Sequence, residues 1–258
     1  MQFVRVSNES EVRIFELSRG KANALNLPMI EELIEAVREG QAERSARAFV
    51  FSSAQSGFFC GGFDVAEVFE YDRSTMRHFF GRFMSLYEQI LLTGKPVIGA
   101  LRGHAYAGGA FLALAFDVRV MAEGEYGFAL NEINFGAILP WALRWGLIKT
   151  VGGREATRMI LTGEALKPVR ALEIGLSDQV VPEDQVLSAA LRHAHNLAQK
   201  PADAFAFSKH SFQRDLGYSE ESRHESLDDF LTQWFSPECS ERRKSLTASL
   251  KVKSSAVA

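Results

Sequence analysis

The chain has little of several things that would mark a specialised class. Only two of its 258 residues are cysteine, Cys60 and Cys239. Two widely separated cysteines make no disulfide framework, and such low usage suits a reducing compartment. Glycine and proline together are about a tenth of the residues, which excludes collagen and low-complexity disorder. No apolar run approaches the roughly 18 residues that a membrane helix needs. The opening MQFVRVSNESEV alternates apolar and polar residues and has no hydrophobic signal core. There is no basic excess either. Lys and Arg number 29 against 32 Asp and Glu, a net charge of −3, so phosphate backbones find no complementary field. No spacing of His, Cys, Asp and Glu resembles a metal site. The expectation is a cytoplasmic protein without metal, membrane segment or nucleic-acid partner.

What is present is ordinary for a globular chain: 47% apolar and 24% charged residues. That length allows one large domain or two small ones, with a sizeable core. Residues 2–6 and 11–17 alternate with period two and predict paired strands around the polar turn Ser7-Asn8-Glu9-Ser10. Pro28 opens a helix to about Glu39. A buried strand at 47–52 precedes a loop with three glycines, Ser53 to Phe63. Helical spacing runs from Ser74 to Leu92. A strand at 97–101 precedes a second glycine-rich loop, Arg102 to Gly109. A helix at 110–115 and a strand at 118–121 follow. Alternating strands and helices argue for an α/β fold. The remainder predicts helices at 140–150, 153–161, 168–174, 183–199, 201–216 and 220–235, with a strand at 178–181. The basic tail after Glu238 is expected to be a solvated helix. Residues 1–195 form the expected core and 196–258 a helical region without a flexible joint.

Two glycine loops and one glutamate carry the chemistry. Phe58-Phe59-Cys60-Gly61-Gly62-Phe63-Asp64 and Gly103-His104-Ala105-Tyr106-Ala107-Gly108-Gly109 both run from strand to helix. Each alone reads equally well as a tight turn. As a pair, they can aim two backbone N–H donors at one carbonyl oxygen, an oxyanion hole. Glu132 stands in a mainly apolar stretch. It is either a structural carboxylate, capping a helix or pairing with Arg144, or a general base with a raised pKa. Cys60 has no histidine motif beside it. His104 reads as a loop residue satisfied by backbone, Asp64 as a helix cap and Asp117 as a turn residue.

The segments FFCGGFD, GHAYAGGAFLALAFDVRV and FALNEINFGAILP resemble the crotonase family, also called the enoyl-CoA hydratase/isomerase family. SRGKANALN and LTGEALKPVRALEIGLSDQVVPEDQV extend the likeness over roughly residues 10–190. The resemblance implies a spiral of ββα repeats with a helical C-terminal region. It also implies an acyl-CoA thioester substrate, no separate cofactor, and a homotrimer or dimer of trimers. By motif match the thioester oxygen would lie between the N–H groups of Phe63 and Gly108. Ala22 and Gly61 would meet the CoA moiety, with Lys21 near its phosphates. Phe111 would line the acyl pocket, as would Ile138, Leu139 and Trp141 unless they only pack a helix start. Hydratases of the family carry two glutamates. One position matches Glu132, and the other is Phe111 here. That departure resembles the Δ3-Δ2-enoyl-CoA isomerase branch, in which one carboxylate moves a double bond. Hydration, another CoA-enolate reaction, or acyl-CoA binding without chemistry stay open as alternatives.

Overall fold

Short apolar runs alternate with helical stretches along the first half of the chain, and in the computed structural model this alternation builds two sheets. The structure describes residues 1–214 and 220–255, with all their side chains except those of 212–214, 220–224 and 249–255. The strands are β1 (Val4–Glu9), β2 (Val12–Leu17), β3 (Ala48–Ser53), β4 (Gly57–Cys60), β5 (Val97–Leu101), β6 (Gly103–Tyr106), β7 (Val118–Ala122), β8 (Phe128–Ala129) and β9 (Gln179–Val181). The helices are α1 (Leu27–Ala42), α2 (Val65–Val68), α3 (Arg73–Leu92), α4 (Gly108–Leu114), α5 (Trp141–Thr162), α6 (Pro168–Glu173), α7 (Val186–Ala198), α8 (Ala202–Arg214), α9 (Glu220–Trp234) and α10 (Pro237–Ser255).

The larger sheet has the order β1-β2-β3-β5-β7-β9, and the smaller has β4-β6-β8. β1 pairs antiparallel with β2, and every other pairing is parallel. The chain therefore sends one strand to the large sheet and the next to the small one, then crosses over in a helix. This is the ββα spiral of the expected α/β class.

Over the central strands β3, β5 and β7 both faces of the large sheet are buried, as parallel strands require. Phe15, Phe49 and Phe51 pack toward α1 and α3. Val12, Val50, Ile98 and Val120 pack against alanines 189, 190 and 194 of α7. Helix α1 starts where Asn26 accepts from the Met29 N–H and Pro28 fills the first turn, and its buried Met29, Ile30, Leu33, Ile34 and Val37 follow helical spacing. Asp72 caps α3 in the same way, through Thr75 N–H at 2.7 Å.

Three expectations need correction. The stretches 53–63 and 102–109 are not wholly loop: they contain β4 and β6. At Gly103 a Cβ would lie 2.2 Å from the Gly57 carbonyl carbon, so glycine is what lets these backbones approach. The helices expected at 140–150 and 153–161 are the two halves of α5, which meet at a kink where Gly152 leaves helical geometry with φ of 78°. The basic tail is not simply solvated, because Cys239 and Arg243 of α10 are buried. The expected helix 201–216 is α8 as far as Arg214, and residues 215 and 216 lie outside the described residues. Residue 195, the expected end of the core, falls in the last turn of α7. Among the described residues no helix is long and apolar enough to cross a membrane.

Candidate active site

The first glycine loop is fixed by the turn that precedes α1. Asn23, with φ of 48°, donates from Nδ2 to Ser53 Oγ at 2.8 Å and to the Phe59 carbonyl at 3.0 Å. The Gly61 N–H donates to the Ala22 carbonyl at 2.7 Å, the Leu25 N–H to Gly62 at 2.7 Å, and the Asp64 N–H to Leu25 at 2.8 Å. Between Gly61 and Asp64, the Phe63 N–H has no acceptor among the described residues. The Phe63 ring is held edge-on by Phe79 and Phe83, each with centroids 4.9 Å away. Ala22 therefore sits on Gly61, and Lys21 is exposed beside it.

The second glycine loop touches the first. A Cβ on Gly62 would lie 2.9 Å from the Tyr106 carbonyl oxygen and 3.3 Å from the Gly108 nitrogen. One on Gly109 would lie 2.3 Å from the Cys60 carbonyl oxygen. Gly108 opens α4, so its N–H is one of the unsatisfied donors of a helix start, and no described residue accepts from it. Ala107, immediately before it, has φ of 46° and ψ of −121°, a strained conformation for a residue with a Cβ.

Glu132 reaches the same place from β8, which is tied to the second loop by the Ala107 N–H on the Ala129 carbonyl at 2.9 Å. It begins a 3-10 turn that ends at Gly136 in the left-handed conformation. The Gly136 carbonyl accepts from Gln233 Nε2 of α9 at 2.9 Å. Glu132 is 5% exposed. Its Oε2 has no hydrogen-bond partner among the described residues. Burial pushes its carboxyl up to about 8, against the opposing influence of its own backbone N–H. Arg144 is exposed and forms no ion pair with it, so the structural reading of Glu132 loses its partner.

Gly61, Phe63, Ala107, Phe111 and Glu132 all line one mainly apolar cavity of about 160 Å³. Glu132 is the one acidic residue in its described wall. Ile138, Leu139 and Trp141 lie off that wall. Leu139 is in the core, and Trp141 stacks on Trp145 at 6.2 Å while its backbone N–H donates to Ser226 Oγ. The sequence reading missed Tyr106, Asn131, Phe230, Trp234 and Leu246, which line the wall together with Val65, Phe69, Phe135 and Ala137. The one signal for the distant ones was the helical spacing of Phe230 and Trp234.

The neighbouring candidates have structural partners. His104 Nδ1 accepts from the Gly127 N–H at 3.0 Å. The Cys60 thiol donates to the Asn23 carbonyl at 3.1 Å, and burial pushes it up to about 12, far from a thiolate. Asp64 caps α2 through the Ala66 N–H, and Asp117 accepts from the Val97 N–H and from Lys209. No group of three or more His, Cys, Asp or Glu among the described residues could hold a metal ion. Phe63 shares the cavity wall with Glu132, whereas Gly108 lies off the wall and follows Ala107, which is on it. A buried base with two unsatisfied N–H donors at one cavity is the equipment for removing a proton next to a carbonyl and holding the oxyanion that forms.

Comparison with known proteins bears on this arrangement. Residues 7–252 match the enoyl-CoA hydratase/isomerase family. The chain is 30% identical over 188 residues to mitochondrial enoyl-CoA delta isomerase 1 of Rattus norvegicus, covering 72% of this chain and 65% of that protein. It thus spans just under two thirds of that relative's length. It is 27% identical over 214 residues to the short-chain-enoyl-CoA hydratase of Clostridium acetobutylicum, covering 83% of this chain and 82% of the hydratase. The crystal structure of human mitochondrial delta3-delta2-enoyl-CoA isomerase matches with a TM-score of 0.93 at 25% identity, over 98% of this chain and 99% of that one.

Proposed function

The chain belongs to the enoyl-CoA hydratase/isomerase family, and we propose that within it the protein is a Δ3-Δ2-enoyl-CoA isomerase with Glu132 as its proton shuttle. The observation that carries this reading is the single carboxylate in the described cavity wall, faced by the apolar Phe111. Hydration asks for more. A water must be held and deprotonated while another proton reaches C2, work that two carboxylates share. Moving a double bond asks for one base.

In the proposed reaction the Glu132 carboxylate takes a proton from C2 of a 3-enoyl-CoA. The C–H electron pair forms the C1–C2 double bond, and the thioester oxygen becomes negative. The Phe63 and Gly108 N–H groups stabilise that dienolate, each donor contributing about 3 kcal/mol in the transition state. Glu132 then returns its proton at C4. The C3–C4 double bond becomes C2–C3, the oxygen charge collapses to a carbonyl, and the carboxylate is regenerated. A base with a pKa near neutrality suits both halves, since it must accept and return the same proton. Ala22 and Gly61 are proposed contacts of the CoA moiety, with Lys21 near its phosphates, and Phe111 a wall of the acyl pocket. The proposed assembly is a homotrimer or a dimer of trimers.

The test uses purified protein with trans-3-hexenoyl-CoA and with crotonyl-CoA. The expected result is 2-hexenoyl-CoA with little hydration, and a loss of at least about 10³-fold in kcat for Glu132→Gln. Fast hydration of crotonyl-CoA would reject the isomerase in favour of a hydratase.

A further inference from the structure

The acyl cavity holds more polar chemistry than a hydrocarbon chain can use. Three side-chain atoms of its wall are buried and have no hydrogen-bond partner among the described residues: Glu132 Oε2, Asn131 Oδ1 and Trp234 Nε1. A buried polar group left unpaired costs about 1–3 kcal/mol, so each calls for an explanation. The proposed reaction uses the first. Asn131 is adjacent to it in the chain and belongs to the same end. Trp234 arrives separately, from α9, and is only 3% exposed. Its indole N–H is a donor and never an acceptor.

A second feature lies behind that indole. The Arg243 guanidinium of α10 sits 4.4 Å from the Trp234 ring centroid, and it also lies over Phe69, a second residue of the cavity wall. Arg243 is 8% exposed, and its Nη1 has no hydrogen-bond partner. The guanidinium makes one hydrogen bond among the described residues, to Ser240 Oγ at 3.4 Å. Glu70 lines the hollow on the Arg243 side but forms no ion pair with it. A buried cation without a carboxylate partner is costly, and aromatic faces offset only part of that cost. The cavity wall thus includes a residue with an unpaired donor, and a positive charge that no carboxylate offsets lies against that residue's ring.

Resting on the enoyl-CoA reading of the site, we propose that the acyl groups this protein takes end in a carboxylate, which accepts from Trp234 Nε1 and is drawn by the charge of Arg243. An acyl chain ending in a methyl group would bury both without pairing either.

Binding tests this apart from turnover. Titration calorimetry would compare hexanoyl-CoA with adipoyl-CoA, the same chain with a terminal carboxylate, neither of which carries a double bond to move. The wild-type protein should bind adipoyl-CoA about tenfold more tightly, the size of one charge-assisted hydrogen bond. Trp234→Phe keeps the ring and removes the donor, and Arg243→Gln removes the charge. Each should cut the preference, taken as the ratio of the two dissociation constants within one variant, to about threefold or less. Equal or weaker binding of adipoyl-CoA by the wild type overturns the proposal, and so does a preference that survives both variants. The wild-type comparison and Arg243→Gln decide the matter if Trp234→Phe does not fold. A carboxylate preference without isomerisation of either 3-hexenoyl-CoA or 3-hexenedioyl-CoA would leave this inference standing and remove only the isomerase.

Discussion

Glu132 is placed where its charge is hardest to sustain, and that placement has consequences for both activity and stability. Burial pushes its pKa from 4.5 up to about 8. If it acts as the base, kcat/KM for a 3-enoyl-CoA should rise with pH through a midpoint near 8 and flatten above it. The same shift acts on folding in a defined direction. The folded state keeps the proton to higher pH than the unfolded chain does. The contribution of Glu132 is therefore complete below about pH 4.5 and declines until about pH 8. Glu132→Gln cannot ionise. It should melt much as the wild type does at pH 4.5, then become the more stable protein as pH rises, with a gap of a few kcal/mol at pH 8 and no further widening. Calorimetric melts of the two proteins at several pH values measure that gap, and a constant difference would mean that Glu132 is better solvated than its surroundings suggest.

At the scale of elements, the site is made by two strand-to-helix junctions pressed together, and backbone strain is stored where they meet. Ala107 holds φ of 46° and ψ of −121° directly before the Gly108 donor. Such a conformation costs of order 1–3 kcal/mol with a Cβ present, and glycine would relieve it while adding unfolded-state entropy. Ala107→Gly should therefore raise stability by roughly 1 kcal/mol and lower kcat, because the Gly108 N–H is then less firmly aimed. Denaturant unfolding and steady-state kinetics would read the two opposite signs.

These junctions also mark the limit of what the sequence discloses. Helices α1 and α3 were legible because Asn26, Pro28 and the Phe79–Phe83 spacing act locally. β4 and β6 read as loops because Gly57 and Gly103 look like chain breakers until the opposing backbone is known. β8 has two residues and no period to detect. At the site, the glycine pairs and the isolated Glu132 were visible. Phe230, Trp234 and Leu246 were not, because their place in the wall depends on helices formed far along the chain.

Across the whole molecule, the last two helices lie over chemistry that the sheets position. Gly136, at the end of the Glu132 turn, packs against Cys239 of α10, where an added Cβ would lie 3.2 Å from the Cys239 Cα. Leu246 closes part of the cavity in which Glu132 is buried. The raised pKa of Glu132 is therefore a property of the complete fold, since desolvation is its largest cause. It should respond to a change more than a hundred residues away in the chain. Leu246→Ala opens the wall and admits water to the carboxylate, which favours the ionised form. The midpoint of the pH–rate profile should fall below that of the wild type by roughly half a unit to one unit, with kcat reduced on the plateau as the dienolate becomes more exposed to solvent. The loss in stability should be modest, about 1–2 kcal/mol for a half-buried leucine. A midpoint that stays near 8 in this variant would assign the burial of Glu132 to the sheet core alone and leave α10 no part in setting the strength of the base.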